Sequence, residues 1–287
     1  SYSYIEKRVN DTRSKMYSEY NMMLTIIKPK MFIFENVLGI LSFKLPDKSK
    51  IIDSIISEFN DIGYSISMKV LNSLDYGVPQ NRLRVFIVGV RNDTGIKWEF
   101  PPIGNKIVKL SDAISDLPPV GQNESSDTYL AKPITSYQSL MRSKCKLLTE
   151  HYCGIYGDRI TAIINNLGPG EAHGDINRKV EEGMLPLDLY LTSGYHNSYG
   201  RLLWDKPCGT ITNNFSTPSA IRCIHPDQNR ALTVREAARI QSFPDWFQFY
   251  GNKTNKKTQV GNAVPPLLSI SLADQIELAF RGVKNGK

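Results

Sequence analysis

The sequence predicts a layered α/β domain followed by a second, smaller and irregular domain. In the first hundred residues, helical and extended patterns alternate in the order α-β-α-β-β, which is typical of helices packed on a sheet. From about Pro101 to Ser219, prolines, glycines and polar residues dominate. With 287 residues, 41% of them hydrophobic, the chain can form a sizeable core in one large domain or two unequal ones.

Two helices are expected in the first domain. The first should be capped by Asn10 or Asp11 and end at about Ile27, because apolar residues recur over this stretch at helical spacing. The second should be closed by Gly63. Its apolar face is formed by Ile51, Ile52, Ile55, Ile56 and Phe59.

Three strands are expected beside these helices. Residues 31–34 form a short continuous apolar run, the pattern of a buried parallel strand. Residues 65–71 and 85–90 have the composition of two further strands. After the irregular region we expect a short helix over residues 232–242. A final helix should begin near Pro265 and Pro266, since proline suits the first helical turn.

Composition narrows the class of protein. The net charge of +7 suits an anionic partner such as nucleic acid, although many basic proteins bind none. No run of about 18 apolar residues occurs, so no membrane-spanning helix is expected, and no signal peptide opens the chain. The four cysteines and four histidines match no zinc spacing. We therefore expect no metal site, and reduced thiols in a cytoplasmic protein.

A glutamate motif, Glu35-Asn36-Val37, directly follows the first predicted strand. Ligands bind beyond the carboxyl ends of strands in open α/β sheets, and a glutamate placed there can hold or donate a proton at a bound base. A surface acid that caps the next loop would give the same pattern.

An arginine motif precedes the third predicted strand. Arg82 and Arg84 alternate with Leu83, so in an extended segment their side chains share one face. Two guanidiniums on one face suit a phosphate, a base carbonyl or a carboxylate. The alternative is a solvated basic strand end.

Together these segments resemble the bacterial DNA cytosine-5 methyltransferases. The family's glutamate motif appears as Phe34-Glu35-Asn36-Val37, and its glutamine-arginine-arginine motif as Gln80, Arg82 and Arg84. Residues 230–245 match its long helical signature, and residues 259–266 match its last motif. The resemblance covers the chain except for the variable region around residues 105–200.

The resemblance implies an incomplete Rossmann-like methyltransferase sheet and three segments. Residues 1–104 would be the C-terminal part of the catalytic domain. Residues 105–257 would form the small target-recognition domain, and residues 258–287 the final helix, which returns to the catalytic domain.

By resemblance, the enzyme would transfer a methyl group from S-adenosylmethionine to carbon 5 of cytosine in double-stranded DNA, with the base flipped out of the stack. A cysteine thiolate adds to carbon 6, and a glutamate hydrogen-bonds or protonates the base edge. The catalytic residues would be Glu35, Arg82 and Arg84. The residues contacting the cofactor would be Asn36, Asn262, Ala263 and Val264, and those contacting DNA would be Ser3, Gln80, Thr212 and Asn213.

Two motifs of the family do not occur, namely the glycine-rich cofactor loop and the Pro-Cys-Gln nucleophile loop. Ser1-Tyr2-Ser3 looks like the residues that would follow Pro-Cys-Gln. Pro207-Cys208-Gly209 superficially resembles the nucleophile loop, but it comes after the arginine motif, in the wrong order. We therefore expect the isolated chain to be inactive and to need a complementing N-terminal polypeptide that carries the nucleophile.

The sequence leaves two hypotheses of function. One is a part of a methyltransferase, either truncated or one subunit of a split enzyme, acting in the bacterial cytoplasm beside a cognate restriction endonuclease. The other is a catalytically inactive DNA-binding module. A module that only binds DNA would need none of Glu35, Arg82, Arg84 and Asn262, and all four are present.

Overall fold

The computed structural model describes residues 16–284, which form two compact units. The first unit contains residues 16–72, 83–103 and 270–284, and the second contains residues 73–82 and 104–269. Within the described residues the second unit contains more of the chain than the first. One buried cluster joins residues from Val108 to Val260 and so brings the helical signature into the same unit as the irregular region. The predicted segments, residues 1–104, 105–257 and 258–287, stay predictions.

The first unit is a three-stranded sheet with helices. Its elements are α1 (Met16–Ile27), β1 (Met31–Asn36), α2 (Ile51–Asp61), β2 (Tyr64–Asn72) and β3 (Leu83–Arg91). These bounds confirm the expected helices and strands, except that the predicted cap of α1 at Asn10 or Asp11 lies outside the described residues. After α2 the chain turns at Gly63 with φ of 91°, a conformation that favours glycine.

The strand order is β1-β3-β2, and both pairings are antiparallel. Met31 lies opposite Val90, and Asn36 lies opposite Val85. The expectation that the first strand is parallel is therefore wrong. A short apolar run shows that a strand is at least half buried, but the direction of its partner is set by where the chain returns.

An apolar core joins α2 to the sheet. Ile55 and Phe59 of α2 are fully buried, and the ring of Phe59 packs edge-on against Phe32 of β1, with the ring centroids 4.9 Å apart. Ile87 of β3 lies in the same cluster. This packing fixes β1 and β3 side by side, and so places the residues at the end of β1.

The second unit consists of short helices and ordered loops. Its helices are α3 (Leu110–Ile114), α4 (Ser136–Met141), α5 (Asp158–Asn165), α6 (His173–Glu181), α7 (Val234–Ile240) and α8 (Lys253–Asn262). The last helix, α9 (Pro266–Lys284), begins in the second unit and ends in the first. Helices α7 and α9 confirm the two helices expected near the C-terminus. No helix of residues 16–284 has the length and apolar character needed to cross a membrane.

Buried ion pairs hold α7 in the second unit. Arg239 donates to Asp116 at 2.5 Å and to Asp245 at 2.6 Å, and all three side chains are fully buried. Arg230 binds Glu236 at 2.7 Å. Burial alone would raise the pKa of Glu236, but Arg230 outweighs it and keeps this pKa well below its usual range. Arg239 is thus a structural residue of the helical signature.

Candidate active site

Glu35 and Arg84 form an ion pair at the end of β1. Glu35 lies opposite Phe86 of β3, and Arg84, two residues away from Phe86, is its diagonal neighbour on the same face of the sheet. The Arg84 Nε atom lies 3.1 Å from Glu35 Oε1, and the two side chains are 16% and 29% exposed. The pair is therefore sheltered by the protein and still open to a bound ligand.

The surroundings of Arg84 fix the orientation of this pair. Its Nη1 atom also donates to the carbonyl of Leu83 at 2.8 Å. Burial lowers the pKa of the Arg84 guanidinium, and Glu35 opposes this shift. A guanidinium stays charged in proteins because its ordinary pKa is so high. Arg84 can thus hold the Glu35 carboxyl group in one position.

Asn36 closes the end of β1. Its side-chain Oδ1 accepts a hydrogen bond from the Val37 amide at 2.9 Å, and the residue is half-buried. The cofactor-contact role of Asn36 stays a prediction, supported by its position at a strand end.

The structure separates the two arginines of the arginine motif. Arg84 belongs to the first unit, whereas Arg82 belongs to the second unit, where it is 2% exposed. The Arg82 guanidinium donates to the carbonyls of Ile211 at 2.8 Å and Gly261 at 2.9 Å. The expectation that both guanidiniums serve one ligand is corrected, because Arg82 binds main-chain atoms of its own unit.

Gln80 does not lie where it could read DNA. It is fully buried, its Oε1 accepts from the Ile211 amide at 2.8 Å, and its Nε2 donates to Gln241 Oε1 at 2.8 Å. Both ends of the amide bind protein atoms, so the prediction of a DNA contact is wrong in this structure. Gln80 instead supports the segment that contains Ile211.

The segment 210–214 is called here the target loop. Thr210 donates its hydroxyl to the Asn81 carbonyl at 2.9 Å, and Ile211 is buried. Thr212 is half-buried, with its hydroxyl accepting from the Asn214 amide at 3.3 Å, and Asn213 and Asn214 are exposed. The amide groups of the exposed asparagines can therefore reach a partner in solvent.

Asn262 is the last residue of α8 and is exposed, while Ala263 and Val264 are half-buried. The backbone becomes extended at Ala263, with ψ of 148°. Pro265 and Pro266 follow, and proline lacks the amide needed to continue a helix. The sequence therefore ends α8 here and leaves Asn262 exposed at the end of the helix.

The cysteines of the chain all lie in the second unit. Cys208, Cys223 and Cys153 are buried, and burial raises the pKa of the Cys208 thiol to about 12. Cys145 is partly exposed, and its thiol donates to the Leu147 carbonyl at 3.0 Å. Since the thiolate is the nucleophile, Cys208 is unsuited to that role, as its place in the sequence suggested. Ser3, a predicted DNA contact, lies outside the described residues.

No group of three or more histidine, cysteine, aspartate or glutamate side chains in the described part of the chain could hold a metal ion.

Comparison with known proteins decides the family. The sequence profile of the C-5 cytosine-specific DNA methylases matches residues 1–278. The chain belongs to this family. The type II methyltransferase M.DdeI of Desulfomicrobium norvegicum is 33% identical over 95% of the chain and 69% of that protein. M.MthTI of Methanothermobacter thermautotrophicus is 35% identical over 96% of the chain and 74% of that protein. M.Eco47II of Escherichia coli is 33% identical over 96% of the chain and 61% of that protein.

Solved structures confirm the fold of this chain. A prophage-encoded protein of E. coli, assigned as a DNA modification methyltransferase, superposes with a TM-score of 0.72 at 22% identity, covering 94% of this chain and 75% of that one. The Dnmt2 methyltransferase of S. pombe gives a TM-score of 0.52 at 13% identity, with 95% and 74% covered. At these identities the likeness establishes the methyltransferase fold. The α/β fold class is thereby confirmed.

Two features of the candidate site were missed from the sequence. One is the pairing of Glu35 with Arg84, which depends on strand register. The other is Gly261, which lies within helix α8, although in an open helix glycine is less favourable than alanine by about 1 kcal/mol. An isolated glycine inside a helical pattern is a signal of close packing, and it could have pointed to this position.

Proposed function

We propose that the chain carries the base-binding and DNA-contact parts of an enzyme that transfers a methyl group from S-adenosylmethionine to carbon 5 of cytosine in double-stranded DNA. The observation that carries the proposal is the sheltered Glu35–Arg84 pair at the end of β1. A fixed carboxyl group beside a guanidinium is what a reaction on the cytosine ring requires.

The chemistry explains the need for this pair. Carbon 5 of cytosine is a poor nucleophile until a thiolate forms a bond to carbon 6 and pushes electron density into the ring. Glu35 would hold a proton at ring nitrogen 3 and so relieve the developing charge, while Arg84 keeps Glu35 in place. Carbon 5 would then take the methyl group as the S–CH3 bond breaks and S-adenosylhomocysteine leaves; a base would remove the carbon-5 proton, and the thiolate would leave as the double bond re-forms.

S-adenosylmethionine would supply an electrophilic methyl group when bound. Taken singly, each of the two predicted contacts has a side-chain amide that fits part of such a molecule: Asn36 offers a half-buried amide at the end of β1, and Asn262 offers an exposed one at the end of α8. An amide both donates and accepts hydrogen bonds, which suits amino-acid and ribose groups. Ala263 and Val264 would pack beside Asn262.

DNA would be bound chiefly through its phosphates, since contacts to the backbone dominate affinity. The target base would have to leave the stack to reach Glu35, at a cost of a few kcal/mol. We propose that Thr212 and Asn213 of the target loop contact DNA, with the exposed Asn213 amide suited to a base edge.

The nucleophile would come from a complementing polypeptide. The buried thiols of Cys153, Cys208 and Cys223 are unsuited to attack, and the described chain exposes apolar surface for such a polypeptide to cover. Met16, Ile26 and Ile27 of α1 are 63%, 68% and 62% exposed. We propose that the complementing polypeptide covers these exposed apolar side chains.

The relatives suggest the setting. Those named above are type II methyltransferases of two bacteria and an archaeon. We accordingly propose action on DNA in a prokaryotic cytoplasm, beside a cognate restriction endonuclease.

The deciding experiment measures methyl transfer to DNA by the purified chain, alone and with a polypeptide carrying the family's cofactor loop and nucleophile loop. We expect turnover only from the combination, called here the assembled enzyme, and no effect of Cys208→Ser on it. Turnover by the chain alone would contradict the need for a second polypeptide. DNA binding without any turnover by the combination would favour a binding module instead.

A further inference from the structure

Gly261 is packed directly against the main chain of the target loop. A Cβ atom added to Gly261 would lie 2.3 Å from the Asn213 amide nitrogen, 2.4 Å from the Thr212 carbonyl carbon and 2.7 Å from Asn213 Cα. Carbon atoms in contact normally lie about 3.5–4.0 Å apart. Gly261 has an ordinary helical conformation in α8, so its missing side chain serves close approach and not backbone freedom.

One guanidinium ties the same two main chains together. Arg82 donates from Nη1 to the carbonyl of Ile211 in the target loop and from Nη2 to the carbonyl of Gly261 in α8. The last carbonyls of a helix have no partner within it, and a cation is favoured there by the helix dipole. Arg82 therefore stabilises the end of α8 and the target loop at once.

A buried pair of glutamines reinforces this tie. Gln80 accepts from the Ile211 amide, so Ile211 is held at both its amide and its carbonyl. Gln80 also donates to Gln241, which in turn donates to the Val260 carbonyl of α8 at 2.8 Å. The loop and the helix end are thus joined by contacts on both sides of Ile211 and at two successive carbonyls of α8.

We propose that Gly261 and Arg82 are positioning residues that fix the target loop on the end of α8 and thereby determine how strictly the enzyme discriminates its DNA sequence. The inference rests on the proposed function, in which Thr212 and Asn213 contact DNA. Hydrogen bonds to a base edge weaken steeply when the donor is misaligned. If the loop were displaced by the width of one methyl group, its affinities for cognate and non-cognate bases would therefore differ less.

The same contact joins two predicted ligand sites. Gly261 is the neighbour of Asn262, the predicted cofactor contact, and touches Asn213, the predicted DNA contact. A displacement of the backbone at Asn262 would therefore also displace the target loop. We expect cofactor and DNA to bind the assembled enzyme with positive coupling that depends on Gly261 and Arg82.

The test uses Gly261→Ala in the assembled enzyme, with two alanine controls. At Gly209, one residue before the loop, an added Cβ meets nothing within 4 Å. At Gly200 it would meet the Arg222 side chain at 2.5 Å, so this variant has a buried clash elsewhere in the same unit. A library of DNA duplexes is methylated and mapped by bisulfite sequencing. Hydrogen exchange is followed in peptides that cover the loop.

We expect Gly261→Ala to lower the ratio of cognate to non-cognate methylation by about tenfold or more, which is the effect of one lost base contact. Amide hydrogen exchange in the target loop should become faster. Gly209→Ala and Gly200→Ala should keep the original sequence preference, although Gly200→Ala should lower stability. If the unsubstituted enzyme is active and Gly261→Ala keeps its sequence preference, the inference is overturned but the proposed function is not. Absence of methylation by the unsubstituted enzyme would overturn the proposed function as well.

Arg82→Lys provides a second route if Gly261→Ala fails to fold. Lysine keeps the charge but lacks the planar fork that spans two carbonyls. Its matched control is Arg201→Lys, since Arg201 is also a buried arginine that donates to main-chain carbonyls, those of Leu167, Ile164 and His225. Only Arg82→Lys should relax discrimination and weaken the coupling between cofactor and DNA. Equal behaviour of the two variants would contradict a positioning role for Arg82.

Discussion

Replacing Glu35 with glutamine should separate catalysis from stability. Glutamine keeps the volume of the side chain but removes its charge and its titratable proton. The ion pair with Arg84 joins side chains that are 29% and 16% exposed, and the loss of such a partly exposed pair costs about 1 kcal/mol. Positioned proton transfer contributes about 10²–10⁴-fold to rate. We therefore expect methyl transfer to fall by orders of magnitude while the free energy of unfolding changes little.

The assay compares tritiated methyl incorporation in a single turnover with DNA affinity and with urea unfolding. Asp93→Asn is the matched control, because Asp93 also pairs with an arginine Nε of β3, that of Arg91, at 2.7 Å in the same unit. This control should leave methyl transfer intact. DNA affinity should be nearly equal in both variants, since phosphate contacts dominate it. Near-normal turnover by Glu35→Gln would refute the reasoning.

Three further outcomes are expected. Arg239→Met should lower the free energy of unfolding in urea by about 3–5 kcal/mol, because it removes the buried guanidinium that joins Asp116 and Asp245 and leaves them only Arg142 at 3.1 Å and Arg235 at 3.7 Å. A loss below about 1 kcal/mol, the value of an exposed pair, would contradict this. Burial lowers the pKa of His225 to about 4, so as pH falls below about 6.5 the unfolded chain gains a proton that the folded chain does not. The free energy of unfolding should then drop by up to about 3 kcal/mol towards pH 4. The drop should be smaller in His225→Gln, and equal pH profiles of the two proteins would contradict the role of His225. Exchanging residues 105–215 for those of a relative with another recognition site should change the bisulfite map, and an unchanged map would place sequence reading elsewhere.

The sequence by itself determined the local elements and the family. Three elements were predicted closely because each depends on side chains a few residues apart. These are the helical spacing in α2, the apolar run of β1 and the proline pair at the start of α9. The position of Glu35 after a strand is equally local. The order of four motifs was enough to indicate the methyltransferase family, since each motif is a short run of neighbouring residues.

Only the tertiary structure decided which residues meet. The antiparallel pairing of β1, the diagonal contact of Glu35 with Arg84 and the burial of Gln80 all depend on segments distant in sequence. Alternation had placed Arg82 and Arg84 on one face, but Arg82 lies outside β3 and binds carbonyls some 130 and 180 residues further along the chain, at Ile211 and Gly261. Periodicity reports which face of an element is buried, whereas the partner of a polar group is chosen by long-range packing, because a buried guanidinium must find acceptors wherever the fold supplies them.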